Sequence, residues 1–296
     1  MAGTGQAAAR MERMGSVVLL GADAGVAALA HALRAAAADA GAAGIVLLCD
    51  GPADEAEAAA SGDLALAIEA AGKPVVAALW GEACDALLEV ALAADARLAE
   101  VGARLGFRGI ARGLLPWCGA TQRLPRRVGV AAALDLLGSG RMLTAEDACE
   151  IGLLDAVLPD REALVAAALA LASDLAGSAP VPPEARGDGL RDAAAAMAAV
   201  AAARAAAATA PLEAARRTVD CVEAALVLPF AQGLAFEAAA RADVLALPEV
   251  ASLRWLARAE ARHAGVAPLR AVAVAAAGGV ALTVELLAAG REVTLV

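Results

Sequence analysis

From residue 16 onward, short uninterrupted apolar runs alternate with longer segments of helical spacing. The run 16–20 (SVVLL) predicts a buried strand, the alanine-rich segment after it predicts a helix to about residue 40, and 44–48 (GIVLL) predicts a second strand. A helix over 63–71 leads through Gly72-Lys73-Pro74 into a third apolar strand at 75–79. Repeated strand–helix units of this kind predict an α/β protein with a mostly parallel sheet covered by helices.

Further along, the pattern is helical over 83–94, extended over 97–99, and helical again over 129–137 and 144–151. Thr144, with Asp147 three positions on, fits the spacing of a capping box with a shorter acid. Residues 152–159 then close a first compact unit. The stretch 179–189 (APVPPEARGDG) is rich in proline and glycine and predicts a linker. The expected division is therefore a first domain over 1–185, a helical linker region over 186–268, and a β-α-β segment over 269–296 that stops inside a second module.

Composition narrows the picture. Hydrophobic residues make up 61% of the 296, but the fraction is inflated by alanine, while aromatics are 2% and tyrosine is absent. A core must then be built from Leu, Val and closely packed small residues. The formal net charge of −10 argues against nucleic acid as a partner, and an anionic ligand would need a local basic patch. Charged residues interrupt every long apolar stretch, and the first 16 residues lack a continuous apolar core, so a soluble, cytoplasmic protein with no membrane span is expected. Five scattered cysteines with no CxxC pair read as reduced thiols, and two histidines without ligand spacing make a metal site unexpected.

Two blocks carry a more specific signal. The first runs from Lys73-Pro74-Val75-Val76 through Trp80-Gly81 to Leu88-Glu89-Val90-Ala91-Leu92-Ala93-Ala94-Asp95. The second is GLLPWCGATQRLPRRVG, Gly113 to Gly129, preceded by Arg104-Leu105-Gly106-Phe107 and followed by Ser139-Gly140-Arg141, Ala145-Glu146-Asp147-Ala148 and Gly152-Leu153-Leu154-Asp155. Together they resemble the enoyl-CoA hydratase/isomerase, or crotonase, family. Leu226 to Ala238 (LVLPFAQGLAFEA) resembles the linker helix of multifunctional fatty-acid-oxidation proteins, in which a hydratase domain precedes an NAD-dependent 3-hydroxyacyl-CoA dehydrogenase. The segment 269–296 falls where that dehydrogenase would begin.

The resemblance implies a crotonase-like fold of repeated ββα units, a lyase acting on acyl-CoA thioesters in fatty-acid β-oxidation, and association into homo-oligomers or with other β-oxidation subunits. It places an acid/base glutamate at Glu89, with an exposed helix glutamate as the plainer alternative. It places oxyanion-hole N–H groups at Ala86 and, in the turn after the second strand, at Gly51, with Ala53 and Asp54 beside the substrate. Asp54, Glu55 and Glu57 are otherwise a solvated acidic turn.

Several positions depart from the family pattern. Its second glutamate falls on Gly109, and its triple glycine is Asp85-Ala86-Leu87, where side chains restrict approach of a thioester and Asp85 repels negative charge. Pro52 replaces a glycine in the second turn. The dinucleotide pattern is reduced to Ala275-Ala276-Ala277-Gly278-Gly279-Val280, so NAD is not expected, and no cofactor is implied beyond the CoA thioester as substrate. Two readings follow: an enzyme impaired in catalysis, or a catalytically silent protein that binds acyl-CoA or serves assembly.

Overall fold

The computed structural model describes residues 9–21, 26–50, 55–262, 271–274 and 292–295. A six-stranded sheet forms the centre, in the order β1 (Arg10–Met14), β2 (Val17–Gly21), β3 (Gly44–Asp50), β4 (Val75–Trp80), β6 (Ala96–Glu100) and β9 (Ala156–Leu158). All neighbours run parallel except β1, which pairs antiparallel with β2 through a tight turn. The apolar runs become strands because both faces of the sheet are covered, so no position has to be polar. Val18, Leu20, Ile45, Leu47, Cys49, Val75, Ala77 and Leu79 face one core together with α1 (Val26–Ala38), α2 (Glu55–Glu69) and α3 (Ala86–Ala93). Val17, Leu19, Val46, Leu48, Val76, Ala78 and Trp80 face α7 (Arg161–Asp174) through Leu164, Ala168 and Ala172. That helix lies so close that a Cβ on Gly44 would fall 2.6 Å from the Ala172 carbonyl oxygen, which explains the glycine at the head of β3.

A smaller sheet, β5 (Glu82–Cys84), β7 (Arg104–Gly106) and β8 (Met142–Thr144), stands beside the main one. Residues 83 and 84, expected as the start of a helix, belong instead to β5. The break falls at Asp85, whose φ of 51° and ψ of −125° end the strand before α3 begins. The chain continues through a 3-10 turn at Arg108–Arg112 into α4 (Ala120–Val128), α5 (Val130–Ser139) and α6 (Ala145–Glu150). The cap at Thr144 is present: its hydroxyl accepts from the Asp147 N–H at 3.1 Å.

The proline- and glycine-rich stretch 179–189 is tied down at its C-terminal end. Arg186 forms an ion pair with Asp95 at 2.6 Å, and Gly189 lies against the backbone of α4. Beyond it come α8 (Ala193–Ala207), α9 (Glu213–Val227), α10 (Phe230–Leu245) and α11 (Pro248–Arg262). Ala196, Val200 and Ala207 of α8, with Val219 and Val222 of α9, join the same core as the sheet strands. With almost no aromatic volume available, this core closes by bringing alanine-rich helices onto α4 and α5. Finally, β10 (Ala271–Val274) and β11 (Glu292–Leu295) pair in parallel. The candidate dinucleotide loop at 275–280 lies outside the described residues. No helix among the described residues is long and apolar enough to cross a membrane.

Candidate functional site

Pairing of β5 with β7 sets Cys84 opposite Gly106 and draws the first turn of α3 against the segment 106–117. A cavity of about 420 Å³ opens there, lined by Asp85, Ala86 and Glu89 from the helix start and by Phe107, Gly109, Ile110, Arg112 and Leu114 to Trp117 from the facing segment. Ala58, Leu137 and three residues of α11, Arg254, Ala257 and Arg258, complete its wall. Ala86 is the first residue of α3, so its N–H precedes the helix's own hydrogen-bond ladder and lies at the positive end of the helix dipole.

Glu89 does not have the environment of an exposed helix glutamate. It is 1% exposed, and its carboxylate accepts from the Trp117 N–H at 2.8 and 2.9 Å and from the Cys118 N–H at 2.7 Å. Burial, followed by the nearby charge of Glu237, pushes its pKa up to about 7, against the pull of those two N–H groups. A carboxyl group that can hold or release a proton near neutral pH, at the wall of a cavity, is suited to general acid/base work.

Glu237, on α10, is the other buried carboxylate in the neighbourhood, also 1% exposed. It accepts from the Gly119 N–H at 2.6 Å, the Thr121 N–H at 3.0 Å and the Thr121 hydroxyl at 2.6 Å, and lies 3.6 Å from Arg241. The two glutamates thus grip four of the five peptide N–H groups of one turn, 117–121. Burial raises the Glu237 pKa, opposed by the Thr121 hydroxyl, Arg241 and the turn's N–H groups.

Of the three side chains expected to restrict approach of a thioester, two border the cavity and one does not. Leu87 turns into the main core, Ala86 lines the cavity, and Asp85 swings across to the facing segment. Its carboxylate accepts from the Gly109 N–H at 2.8 Å and pairs with Arg112 at 3.4 Å, so its charge is met on two sides. Gly109 does line the cavity and brings no carboxylate. Gly51, Ala53 and Asp54 lie outside the described residues.

Sequence reasoning did not anticipate roles for Glu237, Arg112 or the two arginines of α11. For Arg254 and Arg258 the available signal is their spacing of four on one helix; for Glu237 it is only its place within the linker-helix motif. Asp85 at the N-cap and Glu89 in the first turn of α3 both line the cavity.

Comparison with known proteins places much of the chain in a known family. A family model described as enoyl-CoA hydratase/isomerase matches residues 49–211, more than half of the chain. A peroxisomal bifunctional enzyme of Danio rerio is 45% identical over 105 residues, 36% of this chain and 15% of that protein. A probable enoyl-CoA hydratase of Bacillus subtilis (strain 168) is 39% identical over 113 residues, 38% of this chain and 44% of that protein. The chain therefore matches less than half the length of these curated relatives. Among solved structures, an enoyl-CoA hydratase/isomerase from Pseudoalteromonas atlantica T6c superposes with a TM-score of 0.60 at 22% identity, covering 86% of this chain and 98% of that one, a likeness of fold.

Proposed function

Because the chain belongs to the enoyl-CoA hydratase/isomerase family and has its crotonase-like α/β fold, we propose that the cavity beside α3 binds an acyl-CoA thioester and carries out enoyl-CoA hydratase/isomerase chemistry of the kind used in fatty-acid β-oxidation. The observation that carries this reading is Glu89: a buried carboxyl group with a pKa near 7, three residues from a helix-start N–H on the wall of the same cavity.

In this reading the thioester oxygen sits at the Ala86 N–H, with the Gly51 N–H as second donor and Ala53 and Asp54 beside the substrate. Negative charge developing on that oxygen is stabilised by the helix dipole and by fixed backbone donors that need no reorganisation. Glu89 exchanges the proton at the α-carbon. Arg112, Arg254 and Arg258 bring guanidinium groups to the cavity lining, which suits the phosphates of a CoA moiety. The parallel pairing of β10 with β11 supports the expectation of a second module after residue 268.

The test is calorimetric injection of crotonyl-CoA into the full chain, following both the binding isotherm and any continuing heat of hydration. The expected result is saturable binding with continuing heat, and Glu89→Gln keeping the first while losing the second. An absence of binding overturns the proposal. A second reading, a catalytically silent acyl-CoA binder, is favoured by the missing carboxylate at Gly109 and by the N–H clamp on both oxygens of Glu89. Saturable binding without turnover would establish it.

A further inference from the structure

Asp85 combines four features that the reading above leaves unused. It is the only non-glycine residue with positive φ among the described residues, and its φ of 51° and ψ of −125° match the first central position of a type II′ turn, where glycine is favoured. A side chain held at such a position carries backbone strain and marks a place to look for function. It sits at the N-cap of α3, yet its carboxylate does not cap that helix. The carboxylate turns instead toward the cavity wall, where the Gly109 N–H and Arg112 hold it at 2.8 and 3.4 Å and leave it 20% exposed.

The fourth feature concerns position 109. A Cβ built on Gly109 would lie 3.4 Å from Asp85 Oδ1 and 3.4 Å from Leu114 Cβ, both ordinary contacts. The backbone therefore does not require glycine there. The Asp85 carboxylate borders the point from which a side chain at 109 would start. Glu89 lines the same cavity one helical turn on, and its N–H donates to the Asp85 carbonyl at 3.0 Å.

We propose that Asp85 is the second catalytic carboxylate of this cavity, the base that activates the attacking water, supplied from position 85 rather than 109; this rests on the reading of the cavity as an enoyl-thioester site. In the addition, Asp85 takes a proton from water as the water oxygen bonds to the β-carbon. The π electrons move toward the thioester oxygen at the Ala86 N–H, and protonated Glu89 delivers its proton to the α-carbon as the thioester carbonyl re-forms. The net change is one water added, and a proton passing from Asp85 to Glu89 through solvent resets the pair. No oxidant or reductant enters. Asp85 at the N-cap and Glu89 in the first turn of α3 line the same cavity as Ala86, so a substrate held there would meet both carboxyl groups and the oxyanion donor.

The experiment is steady-state hydration of crotonyl-CoA by the wild type, Asp85→Asn, Asp85→Gly and the double variant Asp85→Asn/Gly109→Glu, each checked by thermal unfolding. Asparagine tolerates the turn as aspartate does, and glycine relaxes it, so at least one single variant folds. The expected result is a fall in kcat of about 10²–10⁴-fold in both single variants with KM unchanged, and recovery of turnover when Gly109→Glu is added. A role confined to clamping Gly109 and Arg112 would not be rescued in this way. Wild-type turnover that survives Asp85→Asn, or a loss that Gly109→Glu does not restore, overturns the assignment and leaves the family reading standing. A wild type that fails to turn over crotonyl-CoA overturns both.

Discussion

Glu89 and Glu237 are equally buried, lie on different helices, and hold adjacent parts of the turn 117–121, yet their surroundings give them different work. Glu237 has its own cation, Arg241, and a hydroxyl from Thr121 in addition to two N–H groups, and it is absent from the cavity lining. Glu89 has N–H donors alone and one face on the cavity. A carboxylate matched by a cation and a hydroxyl away from the cavity is a structural clamp. One beside space for a ligand can trade a proton with it. Burial by itself therefore identifies neither role; the partner list and access to the cavity do.

The largest effect that follows is on stability. Glu237→Ala leaves the Gly119 and Thr121 N–H groups without their acceptor and Arg241 without its carboxylate, in a site closed to water. A loss of about 3–5 kcal/mol in denaturant unfolding is expected. If Glu237→Ala were to keep full stability while abolishing turnover, the division of roles would be reversed. The counterpart on the other carboxylate is kinetic. Glu89→Gln retains an acceptor oxygen for Trp117 and Cys118, so unfolding at neutral pH should change little, while kcat on crotonyl-CoA falls by about 10²–10⁴-fold. Equal damage from both variants to folding would erase the contrast.

A subtler difference lies in pH. The folded state raises the Glu89 pKa from an ordinary 4.5 to about 7, so between those values the folded protein binds a proton that the unfolded chain has released. That contribution is fully present below pH 4.5 and is lost as pH rises through 7, with a slope of at most about 1.4 kcal/mol per pH unit. Stability measured in urea should therefore decline from pH 5 to pH 8 in the wild type and decline less in Glu89→Gln, which carries no ionisable group there. The pH profile of kcat/KM should inflect near 7 for the same reason. Wild-type and Glu89→Gln curves that run parallel over this range would show that Glu89 is not held in its raised state.

How much of this is visible in the sequence depends on the range of the interactions. The strands at 17–21, 44–50 and 75–80 are legible because burial on both faces leaves a continuous apolar signature. The strand Arg10–Met14 is not, since all five residues are exposed at a sheet edge and carry no core pattern. β5, β7 and β8 are three residues each, too short for any period to register. Their pairing sets the start of α3 and turns Asp85 toward Gly109, 24 residues away. Glu89 is legible as a candidate through the crotonase resemblance, but its burial depends on the turn at 117–118, and Glu237 reaches that region from 116 to 118 residues further along the chain. The proline- and glycine-rich stretch 179–189 reads as a linker by composition, whereas its fixed placement comes from Arg186 reaching Asp95 and from Gly189 fitting against α4, contacts that composition does not encode.

The smallest test separates charge from hydrogen bonding within the clamp. Thr121 gives Glu237 both its N–H and its hydroxyl, and the hydroxyl is wholly buried. Thr121→Val keeps the shape and the N–H but removes one bond to a charged group, about 1.5 kcal/mol. Because that hydroxyl also holds the Glu237 pKa down, its loss should raise the pKa further and leave Glu237 holding a proton over a wider pH range. A neutral Glu237 exerts less repulsion on Glu89, so the inflection in kcat/KM should move to lower pH while kcat at its plateau stays the same. If the inflection does not move, the two carboxylates share the turn 117–121 without sensing each other's charge, and their likeness is geometric alone.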